Sequence, residues 1–154
     1  MDKVKKIIFF IAVLAVFLIP GFLFGRNTEF YDQINKPVFA PNRVLFTIIW
    51  PIIYIIQSFF ITRIYFSYIE NIEFKKLLTL LVINAIINIM YMPIFFAFNS
   101  MFGGFVITLL VVASIIIIII NAKDLKVKEW YLEIPYLLWS VFALVLSTSI
   151  YLMN

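Results

Sequence analysis

Apolar residues in this chain run in blocks that are too long and too continuous for the helices of an aqueous domain. A helix needs roughly 20 apolar residues to cross the hydrocarbon of a bilayer, so charge-free stretches are the units to look for. The first runs from Ile7 to Gly25, behind a basic cluster of Lys3, Lys5 and Lys6. That cluster resembles the start of a secretory signal. The apolar core nevertheless continues through Pro20-Gly21-Phe22-Leu23-Phe24 without a small-x-small cleavage site, so the segment is expected to stay as the first span. A polar connection follows, with Arg26, Asn27, Glu29, Asp32, Lys36, Pro37, Pro41, Asn42 and Arg43. The next charge-free stretch lies between Arg43 and Arg63, and its aromatic and β-branched tail reaches Tyr68. From Leu77 to Ala122 no residue is charged, which fits two crossings joined by a tight turn. Asn99-Ser100 and Gly103-Gly104 are the turn formers inside it. Lys123 to Glu129 closes the fourth run and a fifth follows.

The pattern predicts an all-α integral membrane protein, a single-domain bundle of five transmembrane helices at about 7–25, 44–68, 77–98, 102–122 and 130–152. A transmembrane barrel is disfavoured because the runs do not alternate every second residue. The Ile115 to Ile120 run reads as lipid-facing filler.

Composition agrees. Of 154 residues, 65% are hydrophobic and 13% charged, against about a quarter charged in a soluble domain. The absence of Cys and His excludes disulfides, thiol nucleophiles, zinc fingers and histidine general bases, and no metal site is expected. A net charge of +4 reflects Lys and Arg of cytoplasmic loops rather than a nucleic-acid partner. With the N-terminus inside, nine cations (Lys3, Lys5, Lys6, Arg63, Lys75, Lys76, Lys123, Lys126, Lys128) lie inside and three (Arg26, Lys36, Arg43) outside. The positive-inside rule then puts the N-terminus in the cytoplasm, the C-terminus outside and the 26–43 loop on the outer face. A bacterial plasma membrane is expected.

The informative residues are those that hydrocarbon would reject. Asn84 and Asn88 share a helical face with Tyr91 and Phe95, either as interhelical glue or as a ligand-facing wall. Trp50, Tyr54 and Gln57 form a stripe on the second span; Tyr136, Trp139, Ala143 and Ser147 form one on the fifth. Trp130 and Tyr131 suit an interface anchor, whereas Trp139 lies too deep for one. Aromatic rings with a few amides and a small residue are what a cavity for a flat, mostly apolar ligand needs. Gly21 and Gly25 make a G-x-x-x-G pair, read as packing within the bundle, with a homodimer as the alternative. None of the eight acidic residues is read as intramembrane, which argues against proton- or cation-coupled transport. No P-loop or Rossmann glycine pattern occurs, so standard hydrolytic or redox chemistry is not expected.

Three ordered motifs resemble the TspO/MBR family, the tryptophan-rich sensory proteins related to the mitochondrial translocator protein. Phe30-Tyr31, then Lys36-Pro37-Val38-Phe39-Ala40-Pro41 and Trp50, is similar to the family's Trp-Tyr, Lys-Pro-x-Trp-x-Pro-Pro and second-helix Trp. Asn88-Ile89-Met90-Tyr91-Met92-Pro93-Ile94-Phe95-Phe96 resembles Asn-Trp-x-Trp-x-Pro-x-Phe-Phe. Pro135-Tyr136-Leu137-Leu138-Trp139-Ser140-Val141-Phe142-Ala143 resembles Pro-Tyr-x-x-Trp-x-x-Phe-Ala. Phe30, Phe39, Ile89 and Tyr91 stand where the family has tryptophan, and Asn42 replaces the second loop proline.

The resemblance implies binding of tetrapyrroles (porphyrin or haem precursors) or similar hydrophobic molecules in an intramembrane cavity, as sensor, carrier or light-dependent porphyrin degrader. Trp50 and Trp139 match cavity positions linked in some members to breakdown of protoporphyrin IX. Tyr31, Pro41, Asn88 and Ala143 match pocket positions as well. No cofactor is required, the porphyrin being ligand or substrate. The 26–43 loop would act as a lid whose Lys36 and Arg43 attract its propionates. The alternatives are a lipid or small-molecule transporter and a non-catalytic membrane assembly subunit.

Overall fold

The computed structural model describes residues 2–25, 29–68 and 70–154, so Arg26 of the outer-loop charge count lies outside the described residues. Its helices are α1 (Asp2–Phe24), α2 (Glu29–Gln33), α3 (Arg43–Tyr68), α4 (Ile72–Met92), α5 (Met101–Asp124) and α6 (Glu133–Met153). A π-helical turn, Pro93–Ala97, extends α4, and a 3-10 turn, Lys128–Leu132, leads into α6. Among the described residues, five segments are long and apolar enough to cross a membrane: Lys3–Phe24, Arg43–Tyr68, Ile72–Ala97, Met101–Asp124 and Lys128–Met153. The chain is an all-α integral membrane protein.

α5 packs between α4 and α6, while α1 lies against α3 and α4. Only 11% of the α1 span is buried against 44% of α5, so α1 is the peripheral helix and α5 the central one. The α4–α5 turn is set by its own chemistry. Asn99 takes a positive φ of 51°, a conformation Asn tolerates, and Ser100 caps α5 by accepting from the Gly103 amide at 3.0 Å. A Cβ on Gly104 would stand 2.6 Å from Phe95 Cδ2, so glycine is what lets the Phe95 ring close onto α5.

Two expectations are corrected. Ile115, Ile118 and Ile119 are buried, while Ile116, Ile117 and Ile120 face outward, so the isoleucine run is half core rather than lipid filler. Lipid and bundle interior are equally apolar, so an all-aliphatic helix carries no mark of which face packs. Secondly, an acidic residue does lie inside a span. Glu133 opens α6, is fully buried, and accepts from Gln57 Nε2 at 3.2 Å. The preceding 3-10 turn opens on the charged Lys128 and Glu129 and runs directly into α6, whose first residue, Glu133, is buried.

Candidate functional site

A partly open cavity of about 370 Å³ is lined by α1, α3, α4, α5 and α6, with Tyr31 of α2 among its lining residues. Eight residues nominated from sequence line it: Tyr31, Trp50, Tyr54, Asn88, Tyr91, Phe95, Ala143 and Ser147. Helical spacing explains the grouping. Trp50 and Tyr54 are one turn apart on α3 with rings 5.6 Å apart and stacked. On α4, Pro93 lacks an amide hydrogen, and the helix widens into the π turn, which carries Phe95 inward. The Phe95 ring stacks on Tyr91 at 5.4 Å and 8°.

Pro41, Asn84 and Trp139 are not in the lining. Trp139 stands behind Trp50, edge-on at 6.4 Å and 79°, and also touches Phe46 and Phe142. Its indole Nε1 is buried without a hydrogen-bond partner. Asn84 lies deeper, donating to Ser114 Oγ at 2.7 Å and accepting from the Tyr136 hydroxyl at 3.1 Å. Asn88 accepts from the Tyr54 hydroxyl at 3.1 Å and donates to the Tyr136 oxygen at 2.9 Å. The two asparagines therefore differ: Asn84 ties helices together, whereas Asn88 ties them and also faces the cavity.

Sequence reasoning missed the α1 wall. Phe17 stacks on Tyr54 at 5.0 Å and 14°, and Gly21 and Gly25 line the space. A Cβ on Gly21 would meet nothing within 4 Å, so this glycine opens the cavity rather than seating a neighbouring helix, correcting the packing reading of the pair. Ser140 was also missed, although it continues the Tyr136 stripe at i+4; its buried hydroxyl is unpartnered, as is that of Tyr31.

The rim charges are also not as expected. Lys36 Nζ turns inward to donate to the Tyr31, Asp32 and Ile34 carbonyls, and it lies 4.8 Å from the Tyr31 ring centroid. It pins the loop and is not presented to a ligand. Arg43 lines the cavity but pairs with Asp32 at 3.1 Å. Burial, and secondarily the Asp32 charge, raise the Tyr31 pKa, so its hydroxyl stays a neutral donor.

The arrangement is an apolar, aromatic-walled pocket with a few polar groups, of the size expected for small-molecule sites. Among the described residues no cluster suited to a metal ion occurs. A family model described as the TspO/MBR family matches residues 9–152. The chain is 30% identical to an uncharacterized membrane protein, YtaB, of Bacillus subtilis, covering 94% of this chain and 93% of the relative. It is 31% identical to the tryptophan-rich protein TspO of Bacillus cereus, covering 99% and 98%. Identity to protein CrtK of Rhodobacter capsulatus is 25%, covering 80% and 78%.

Proposed function

The chain belongs to the TspO/MBR family, and from that membership we propose that it binds a tetrapyrrole or similar flat hydrophobic molecule in the cavity beside Trp50. The observation that carries this reading is the wall itself. Trp50, Tyr54, Tyr91 and Phe95 line it with aromatic rings, while Asn88, Ser140 and Tyr31 offer dipoles that orient a ligand edge. Stacking with a few convergent polar groups is how apolar pockets select planar ligands. Light-dependent porphyrin breakdown would place Trp50 against the ligand, with Trp139 acting through its edge contact to Trp50. The protein would sit in a bacterial plasma membrane with its N-terminus in the cytoplasm and the α2 lid outside.

The test is titration of protoporphyrin IX into detergent-solubilised protein, following tryptophan quenching in the dark and porphyrin absorbance under illumination. Saturable quenching that weakens in Trp50→Phe is the expected result. Non-saturable quenching would overturn the reading, and binding without bleaching would leave a sensor or carrier. A second reading, transport of a membrane-dissolved small molecule, is favoured by α1. Phe22 is 73% exposed yet lines the cavity, which puts the pocket within reach of lipid. Directional uptake into vesicles separates the two.

A further inference from the structure

We propose that Glu133 and Gln57 form a buried monocation site, occupied by a proton or an alkali ion, one helical turn from the hydrogen-bond network that reaches the cavity wall. Glu133 is 0% exposed, and Gln57 is 2% exposed. One carboxyl oxygen accepts from Gln57 Nε2 at 3.2 Å; the other, Oε1, is buried and has no partner. An unpaired carboxylate in an apolar bundle is costly unless a positive charge accompanies it, and intramembrane acids accordingly mark proton and ion sites.

Among the described residues no cation pairs with Glu133. Across α3 the nearest cation in sequence is Arg63, whose Nε is committed to Glu129 of the 3-10 turn at 2.9 Å. On α5, Lys123 Nζ lies over the Trp130 ring at 4.0 Å. The adjoining 3-10 turn adds Lys128, which is exposed, and Glu129, whose Oε2 is also buried without a partner. Two hydroxyls lie further in: Tyr136, one turn further along α6, and Tyr54, one turn from Gln57 along α3. Those two tyrosines meet at Asn88, since the Tyr54 hydroxyl donates to its Oδ1 and its Nδ2 donates to the Tyr136 oxygen. Tyr54 and Asn88 also line the cavity. The occupied carboxyl is thus one helical turn from a network that ends in the cavity wall, and Trp50 rests on both of its tyrosines, at 5.6 Å from Tyr54 and 6.4 Å from Tyr136.

Trp50 therefore serves as the reporter. The full chain in lipid nanodiscs, without porphyrin, is titrated with pH at fixed potassium, and with sodium or potassium against choline at fixed pH. Tryptophan fluorescence and the infrared carboxyl bands are followed together. The expected result is one saturable fluorescence transition that coincides with a change in a carboxyl band and is lost in Glu133→Gln but kept in Glu70→Gln. A pH-only response identifies the proton as occupant; an alkali-dependent response at constant pH identifies the ion. The same transition in Glu133→Gln and wild type overturns the proposal. If Glu133→Gln does not fold, the wild type decides: absence of both a protonated-carboxyl band and any alkali-dependent carboxylate shift overturns it.

Discussion

Asn154 and Asn35 clasp each other side chain to backbone. The Asn35 amide donates to Asn154 Oδ1 at 2.9 Å, and Asn154 Nδ2 donates back to the Asn35 carbonyl at 3.0 Å. This pair fastens the segment after α2 to the far end of α6, so the rim of the cavity is tied to one of its walls. Both bonds are exposed, and the pair contributes about 1 kcal/mol. Asn154→Ala is expected to speed amide exchange in residues 29–36 by about fivefold, at 1.4 kcal/mol per tenfold. Hydrogen-exchange mass spectrometry checks it; unchanged exchange there would show that Lys36 and the Asp32–Arg43 pair hold the loop without this clasp.

Gly21 and Gly104 predict opposite outcomes for added bulk. At Gly21 a Cβ meets nothing within 4 Å, so Gly21→Leu should fold normally, fill the cavity and weaken porphyrin binding by about tenfold or more. At Gly104 a Cβ comes within 2.6 Å of the Phe95 ring, so Gly104→Ala should destabilise by about 1–3 kcal/mol. Thermal unfolding in detergent beside porphyrin titration distinguishes loss of space from loss of fold.

Asn88 holds two hydroxyls from two other helices. Interhelical hydrogen bonds in membranes average about 0.6 kcal/mol each, so Asn88→Leu should cost about 1 kcal/mol of stability. Tyr136→Phe removes the hydroxyl shared with Asn84 and should cost about as much. The double variant should lose less than the sum, because both single changes break the same Asn88–Tyr136 bond. A strictly additive loss in thermal denaturation would mean that the bond does not form.

Tyr31 predicts an alkaline limit for the loop around α2. Its folded pKa is raised, first by burial and then by Asp32, so the unfolded loop loses this proton at lower pH than the folded one does. The stabilisation is complete below the unfolded tyrosine value of about 10 and is lost as pH rises from there through the folded value. Protection of residues 29–36 in hydrogen exchange, corrected for the intrinsic rate, should fall above about pH 10 in wild type and not in Tyr31→Phe.

Helix number was legible because a bilayer imposes a length: an uninterrupted apolar run of about 20 residues has few alternatives to a spanning helix. Stripes of polar and aromatic residues were legible for a related reason, since hydrocarbon rejects Asn88, Tyr54 and Tyr136, and helical spacing then groups them. Trp139 and Asn84 lay on those stripes and yet stand outside the lining, because a stripe gives direction from the helix axis and not depth within the bundle.

What tertiary structure decided follows from the same solvent. Where lipid and core are equally apolar, hydrophobicity does not mark the inward face, so the half-buried Ile115–Ile120 run and the cavity-facing α1 carried no signal. Lys36 reads as a surface charge until the loop folds its own carbonyls around it. Glu133 falls within the fifth predicted span without being read as intramembrane, and only the folded chain, in which the 3-10 turn runs into α6, shows its carboxyl buried and accepting from Gln57. The sequence by itself determined that five helices span and which residues hydrocarbon would drive together. Helix packing alone decided which of them meet an open cavity and which meet one another, because that depends on interaxial placement, which an apolar pattern in an apolar solvent does not encode.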